Sequence, residues 1–406
     1  RPGEPDPSGL KNDGYRIASA GDRLFIQGDG SRGVLYGVYG LLEECLGCRF
    51  FAEGVEHIPC RATIELAPPS LTRVSPLEYR ETLWHCMRGG DIASKRGFNG
   101  QNHQLTENQG GNIRYFGFVH TFKQYVDPDE YFDTHPEYFS MVDGQRIREQ
   151  TQLCLTNPEV LELVVGKLRR NIQAHPEAKI FSISQNDCYN PCTCPACAQI
   201  DEQEGSHAGT LIRFVNAVAE EVEKQYPDVI IDTLAYQYTR TPPKLTRPRD
   251  NVAVRFCTIE ACFSHPLSQC TEVSKDFKSR VGEATLQQDL KGWSEICDRI
   301  YIWDYTTDFA HYLMTFPNLY ILGENIQFFR DHSVTGLFEQ GNGESVSGEF
   351  GELRAYVLSK LMWNPEGDVK AYIRDFLKGY YGDGAGPIGE YIDKVCTRVE
   401  QENIHV

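Results

Sequence analysis

KIFSISQNDCYNPCTCPAC, residues 179–197, is the stretch from which the rest of the chain is best read. Ile180-Phe181-Ser182-Ile183-Ser184 is a short apolar run with alternation, which predicts a buried strand. The run ends in Gln185-Asn186-Asp187, and Cys188, Cys192, Cys194 and Cys197 follow within ten residues. Polar residues at the C-terminal end of an apolar strand are where an α/β barrel carries its chemistry.

Strand-then-helix periodicity repeats on both sides of this stretch. Strands are predicted at 78–83, 100–105, 115–122, 179–184, 229–236, 252–259, 300–305 and 335–339, and helices at 158–172, 210–226, 286–297, 319–332 and 348–363. Pro158 after Thr156-Asn157 marks a helix start, because a first-turn proline gives up no needed N–H and the asparagine can cap. Eight strands alternating with helices predict an α/β fold, a (β/α)8 TIM barrel, over 77–365. A small α/β domain, truncated at its front, is expected over 1–70. There YRIASAGDRLFIQ reads as a hairpin about Gly21-Asp22, and 31–48 has helical spacing. Residues 366–406 are expected to add a helical extension.

The totals exclude several classes. The 406 residues are 40% hydrophobic, enough for a large core. A net charge of −17 leaves nothing to neutralise phosphates, so nucleic acid is not an expected partner. No apolar run approaches the roughly 18 residues needed to cross a bilayer, so no membrane span is expected. Most of the 14 cysteines stand singly on apolar segments. That is unlike the dense framework of small secreted domains, so reduced thiols and a cytoplasmic setting are the expectation.

The barrel reading makes the strand ends the place to look for function. They carry Arg80 and His85, His103, His120, Asn186 and Asp187, Tyr236 and Tyr238, Glu260, Trp303, Asp304 and Tyr305, and Glu339 and Asn342. Glycoside cleavage needs one carboxylic acid to protonate the leaving oxygen and a second carboxylate to attack or to activate water. The acid must keep its proton near neutrality, so burial or a like-charged neighbour has to raise its pKa. Asp187 is the expected general acid, and Asp304, Glu260 or Glu339 the base. Arg80, His85, His103, His120, Asn186, Tyr236, Tyr238, Trp303, Tyr305 and Asn342 are the expected substrate contacts, with Trp84 as a further stacking face. Each has a plainer alternative: a strand-end Asp can cap a helix, Glu260 can pair with Arg255, and the histidines and tyrosines can fill a core.

The thiols read Cys188-x3-Cys192-x-Cys194-x2-Cys197. Such a cluster can close a tetrahedral zinc site, with Cys154 able to replace Cys188 as fourth ligand. Free buried thiols or a disulfide are the alternatives. The expected chemistry needs no cofactor, so the zinc would be structural.

Several stretches resemble a known family. GVLYGVYGLLEECLGCRFF with GVEHIP, and LCLTNPEVLELVVGKLRRNI leading into KIFSISQND, are similar to segments shared by β-hexosaminidases and α-glucuronidases. Together with YFDTHPEYFSMVDGQR, CTCPAC, IDTLAYQYT, YIWDY and FEQGN, they resemble the bacterial domain-of-unknown-function 4838 family, related to that glycoside hydrolase superfamily. The resemblance implies an exo-acting hydrolase taking an oligosaccharide or glycoside. It aligns Asp187 with the acid at the end of strand four. It places Asn186 where a hexosaminidase has the Asp that orients the acetamido group, which weakens the alternative of substrate-assisted N-acetylhexosaminidase catalysis. It sets Glu260 and Asp304 on strands six and seven, which carry the water-activating carboxylates of α-glucuronidases. A non-catalytic carbohydrate-binding barrel is the remaining alternative.

Overall fold

A computed structural model describes residues 6–272, 284–346 and 348–406. The chain divides into two compact units. The first draws on Arg1–Asn112, Cys262–Glu272 and Trp303–Val406; the second comprises Ile113–Ala261 and Val273–Ile302.

Seven strands form the main sheet. They are β1 (Tyr79–Thr82), β2 (Tyr115–Phe116), β3 (Ile180–Ser182), β4 (Ile230–Ala235), β5 (Val252–Cys257), β6 (Ile300–Tyr305) and β7 (Val334–Gln340), in the order β1-β7-β6-β5-β4-β3-β2. The pairings are parallel, with Ser182 beside Asp232 and Glu339 beside Thr82. Every residue of β4 and β5 is buried. Burial on both faces is what makes parallel strands read as continuous apolar runs. The order and direction suit a TIM-like α/β fold.

The eighth expected strand, 100–105, is not a strand. Asn99 and Gly100 both donate their amides to the Arg80 carbonyl, turning the chain across the end of β1. The Asn112 amide then donates to the carbonyls of Gly100 and His103. A Cβ on Gly100 would lie 2.5 Å from the Glu81 side chain, so glycine is what permits the close pass. In NGQNHQL the Asn99 side-chain amide holds the turn, accepting the Arg80 N–H at 2.8 Å and donating to the Glu78 carbonyl at 2.8 Å, as such residues do when they compete with a ladder. Seven sheet strands are therefore described where a barrel of eight was expected.

Helices follow their sequence signals closely. Pro158–Ala174 begins at its proline, and Asn157 caps it by accepting from the Glu159 N–H at 2.9 Å. Leu286–Ile296 starts with a Thr285/Gln288 capping box. Near the front, Tyr15–Ala20 and Arg23–Gly28 pair as the expected hairpin, and Ser70–Arg73 adds a third strand to it. Val369–Tyr381 and Ala385–Glu402 form two further helices.

Candidate active site

In the second unit, the chain leaves β3 through Ile183 and Ser184 into the loop bearing Asp187. That loop is held by Gln152. Its amide nitrogen donates to the carbonyls of Asn186 and Cys188, each at 2.8 Å, and its oxygen accepts the Asn186 N–H at 2.8 Å. Asp187 is thereby projected outward, its side chain 63% exposed. Tyr236, directly after β4, donates its hydroxyl to Asp187 Oδ1 at 3.0 Å and accepts from Gln237 Nε2 at 2.8 Å. His120 bonds the Gln185 carbonyl through Nδ1 at 2.8 Å, which leaves Nε2 facing Asp187 Oδ1 at 3.9 Å. His120 holds this pose with a left-handed φ of 54°. Burial pushes the Tyr236 hydroxyl up, with the charges of Asp187 and Glu260 adding to it, so the phenol is a donor at neutral pH.

Glu260 is the buried member of this group at 1% exposure. Its carboxyl faces Arg240 Nη1 at 3.7 Å, while Arg240 Nε grips Asp289 Oδ2 at 2.7 Å. Burial raises both the Glu260 and Asp289 pKa values, and Arg240 opposes the rise at each. Arg255, the alternative partner considered for Glu260, is engaged elsewhere. It lies over the rings of Tyr115 and Phe118 at 4.6 and 4.1 Å and pairs with Asp232 at 3.2 Å. Asp232 is fully buried within β4, and burial carries its pKa to about 6 against the pull of Arg255. Both were legible as charges set inside apolar strands, in VIIDTLAY and VAVRFC.

In the first unit, Asp304 near the end of β6 and Glu339 near the end of β7 form a buried carboxyl pair. Burial drives the Glu339 pKa well above its usual range, and the Asp304 charge and a hydrogen bond between the two raise it further. Two carboxyls in contact cannot both ionise, so one proton is shared and held near neutrality. Glu339 Oε2 meets no other hydrogen-bond partner among the described residues. Half-buried Trp303 donates to Gln340 Oε1 at 2.7 Å and stacks with Tyr305 at 6.2 Å.

Other expected contacts serve the scaffold. Arg80 is fully buried. Its guanidinium pairs with Asp13 at 2.6 Å, donates to the carbonyls of Gly97, Asn12 and Leu77, and lies over Trp363. His103 bonds the Met87 carbonyl at 2.7 Å and stacks on Phe98. Asn186 donates from its side-chain amide to the Thr151 carbonyl at 2.9 Å and accepts the Lys123 N–H at 3.0 Å, which fixes its orientation within the loop. Tyr238 packs on Tyr189 and His207. Asn342 closes a turn with Glu344 and Ser345. Trp84 is buried beneath Gly341, Gly348 and Gly351, not open for stacking. His85 is half-buried, its backbone N–H bonded to the Asn342 carbonyl at 2.9 Å.

Four thiols converge, but the fourth is Cys154, not Cys188. Sγ atoms of Cys154, Cys192, Cys194 and Cys197 lie within 4.8 Å of one another. The Cys154 sulfur is 3.7 Å from that of Cys194 and 4.0 Å from that of Cys197. Zinc bonds of about 2.3 Å in a tetrahedron place sulfurs about 3.8 Å apart, so the donor set fits zinc. Met141 N and Arg146 Nη1 donate toward the Cys192 sulfur. Cys188 instead takes a contact from Gln152 Nε2 at 3.2 Å.

A fold of this kind occurs in glycoside hydrolases. A Family 89 Glycoside Hydrolase from Clostridium perfringens, in complex with 2-acetamido-1,2-dideoxynojirmycin, matches at TM-score 0.52 with 11% identity over 95% of this chain and 49% of that one. The same enzyme with PUGNAc matches at 0.50 with 9% identity, over 91% and 47%. With its substrate GlcNAc-alpha-1,4-galactose it matches at 0.49 with 11% identity, over 91% and 46%. The chain thus spans about half the length of these enzymes. No curated protein matches it. A family profile covers residues 50–393, and the chain belongs to that family, described as Domain of unknown function (DUF4838).

Proposed function

We propose that the chain is an exo-acting glycoside hydrolase that cleaves an oligosaccharide or glycoside by carboxyl acid/base chemistry. The observation that carries this reading is the Glu339 carboxyl, buried against Asp304 at the strand ends and poised to hold a proton near neutrality. The glycoside-hydrolase-like fold supports it.

Roles divide by environment. Glu339, and in the second unit Glu260, have the raised pKa that a proton donor needs, whereas Asp187 keeps its oxygens in water with Tyr236 donating to one of them. The donor protonates the leaving oxygen as the glycosidic bond breaks. Water replaces the leaving group and yields its proton to a carboxylate. Asp304 and Glu339 are hydrogen-bonded to each other, so they act as one proton-sharing unit and not as a separated acid and nucleophile. Within the second unit this moves the acid role from Asp187 to Glu260 and leaves Asp187 as a base or substrate contact. Trp303 and Tyr305 offer faces to a sugar ring. The fixed orientation of Asn186 within the loop argues against substrate-assisted catalysis through that residue. We also propose a structural zinc on Cys154, Cys192, Cys194 and Cys197, fixing the chain beyond the Asp187 loop.

The test is a panel of aryl and alkyl glycosides assayed with wild type, Glu339→Gln, Glu260→Gln and Asp187→Asn. Loss of the acid lowers kcat/KM by about 10²–10⁴-fold on poor leaving groups, much less on activated aryl glycosides. It also removes the limb along which activity falls as pH rises and the donor deprotonates. Full activity of Glu339→Gln with an unchanged pH profile would overturn its role. Saturable glycan binding without turnover would make the chain a binding barrel.

A further inference from the structure

A second group of metal-ligating side chains lies in the first unit, unrelated to the carboxyls. Cys262, His265 and Cys270 stand on the segment Cys262–Glu272, and His405 comes from the tail after Ala385–Glu402. One donor atom from each lies within 4.8 Å of the others. Cys262 Sγ is 3.3 Å from His265 Nδ1 and 3.3 Å from His405 Nδ1, and Cys270 Sγ is 3.6 Å from His405 Nδ1. Zinc bonds of about 2.3 Å to sulfur and 2.0–2.1 Å to nitrogen put adjacent S and N donors about 3.5 Å apart in a tetrahedron. The donors already stand near that spacing.

We propose that Cys262, His265, Cys270 and His405 form a tetrahedral site for zinc, a structural clasp tying the tail to the Cys262–Glu272 segment. Two sulfurs with two imidazoles in a tetrahedral arrangement are a zinc donor set. The backbone aims the tail independently of any ion. Phe263 N donates to the Val406 carbonyl at 3.1 Å, Val406 N donates to Ser264 Oγ at 3.1 Å, and Ser264 Oγ donates to the Ile404 carbonyl at 2.6 Å. Both histidines turn Nδ1 toward the Cys262 sulfur. His405 Nε2 meets the Asn403 side-chain amide at 3.1 Å. With that amide turned, its oxygen would accept the Nε2 proton and fix the ligating tautomer, as outer partners of metal-bound histidines do. His265 Nε2 is buried with no partner among the described residues, so Nδ1 carries its polar contacts. The sequence hides this set, because His405 lies 135 residues beyond Cys270.

The test counts metal in the full chain purified with reductant, supplied with zinc and dialysed. Cys262→Ser and His405→Ala are each expected to hold one zinc fewer than wild type, while Cys194→Ser loses a different one from the four-thiol group. Because each variant is compared with wild type, failure of the four-thiol site leaves this result readable. In wild type alone, zinc should shield Cys262 and Cys270 from alkylation and a chelator should expose them, so the outcome survives a misfolded variant. Equal zinc in wild type, Cys262→Ser and His405→Ala would overturn the clasp. A Cys262–Cys270 disulfide in mapped peptides would overturn it too.

Discussion

At the scale of the residue, burial separates side chains that are alike on paper. His85, His103 and His120 all stand near strand ends in the sequence, but only His120 faces a carboxylate, at 3.9 Å. Burial carries the His103 pKa down to about 4 from 6.5. The unfolded chain therefore binds a proton there that the folded one refuses between pH 6.5 and about 4. Stability is lost as pH falls through that window, by about 3 kcal/mol in full. Urea melts at either end of the window should show a steeper acid loss in wild type than in His103→Gln, and equal losses would refute the assignment. The strand-end carboxyls were legible as types and positions. Which of them holds a proton was not, because burial and the Asp304–Glu339 contact exist only after folding. Arg80 was equally illegible: its partners Asp13 and Gly97 lie on either side of it in the chain, and no local pattern joins them.

At the scale of the element, apolar runs located seven strands, with ends that differ by a few residues. Residues 115–122 supply only Tyr115–Phe116, since Gly117 turns the chain with a φ of 62°. Residues 100–105 form no strand because side chains outside the run, those of Tyr79, Glu81 and Asn112, take up its backbone N–H and C=O groups. The last strand shows what a sequence pattern can still hide. In FEQGN the glycine has no special backbone angle, and its reason is contact: a Cβ on Gly341 would lie 2.3 Å from the Trp84 ring. Trp84 is fixed from the other side by its bond to Thr306 Oγ1 at 3.1 Å, so it has little room to move. Gly341→Ala should therefore cost about 1–3 kcal/mol, the usual range for overpacking. A denaturation midpoint equal to wild type would show that the ring yields freely.

At the scale of the whole molecule, the thiol group and the division of the chain matter most. Cys154 joins three cysteines some forty residues on, which spacing alone offered only as an alternative to Cys188. If zinc there contributes about 2 kcal/mol to the second unit, a chelator should lower its Tm by roughly 4–8 °C. The four-thiol variant Cys194→Ser should be insensitive to chelation at that site. Equal melting with and without chelator would remove zinc from the account. The two units were not legible in the sequence, because their boundaries follow contacts and not composition. The second unit is nearly one continuous span, 113–302, interrupted by the Cys262–Glu272 segment, whereas the first is built from both halves of the chain. On a ribosome the second unit has all its residues in hand while the first still waits for 303–406. Synthesis thus imposes an order, second unit before first, because domains fold as units while the chain emerges. Chains truncated after residue 302 and released from the ribosome should carry a protease-resistant second unit and a digestible N-terminal segment, and uniform digestion of both would contradict that order.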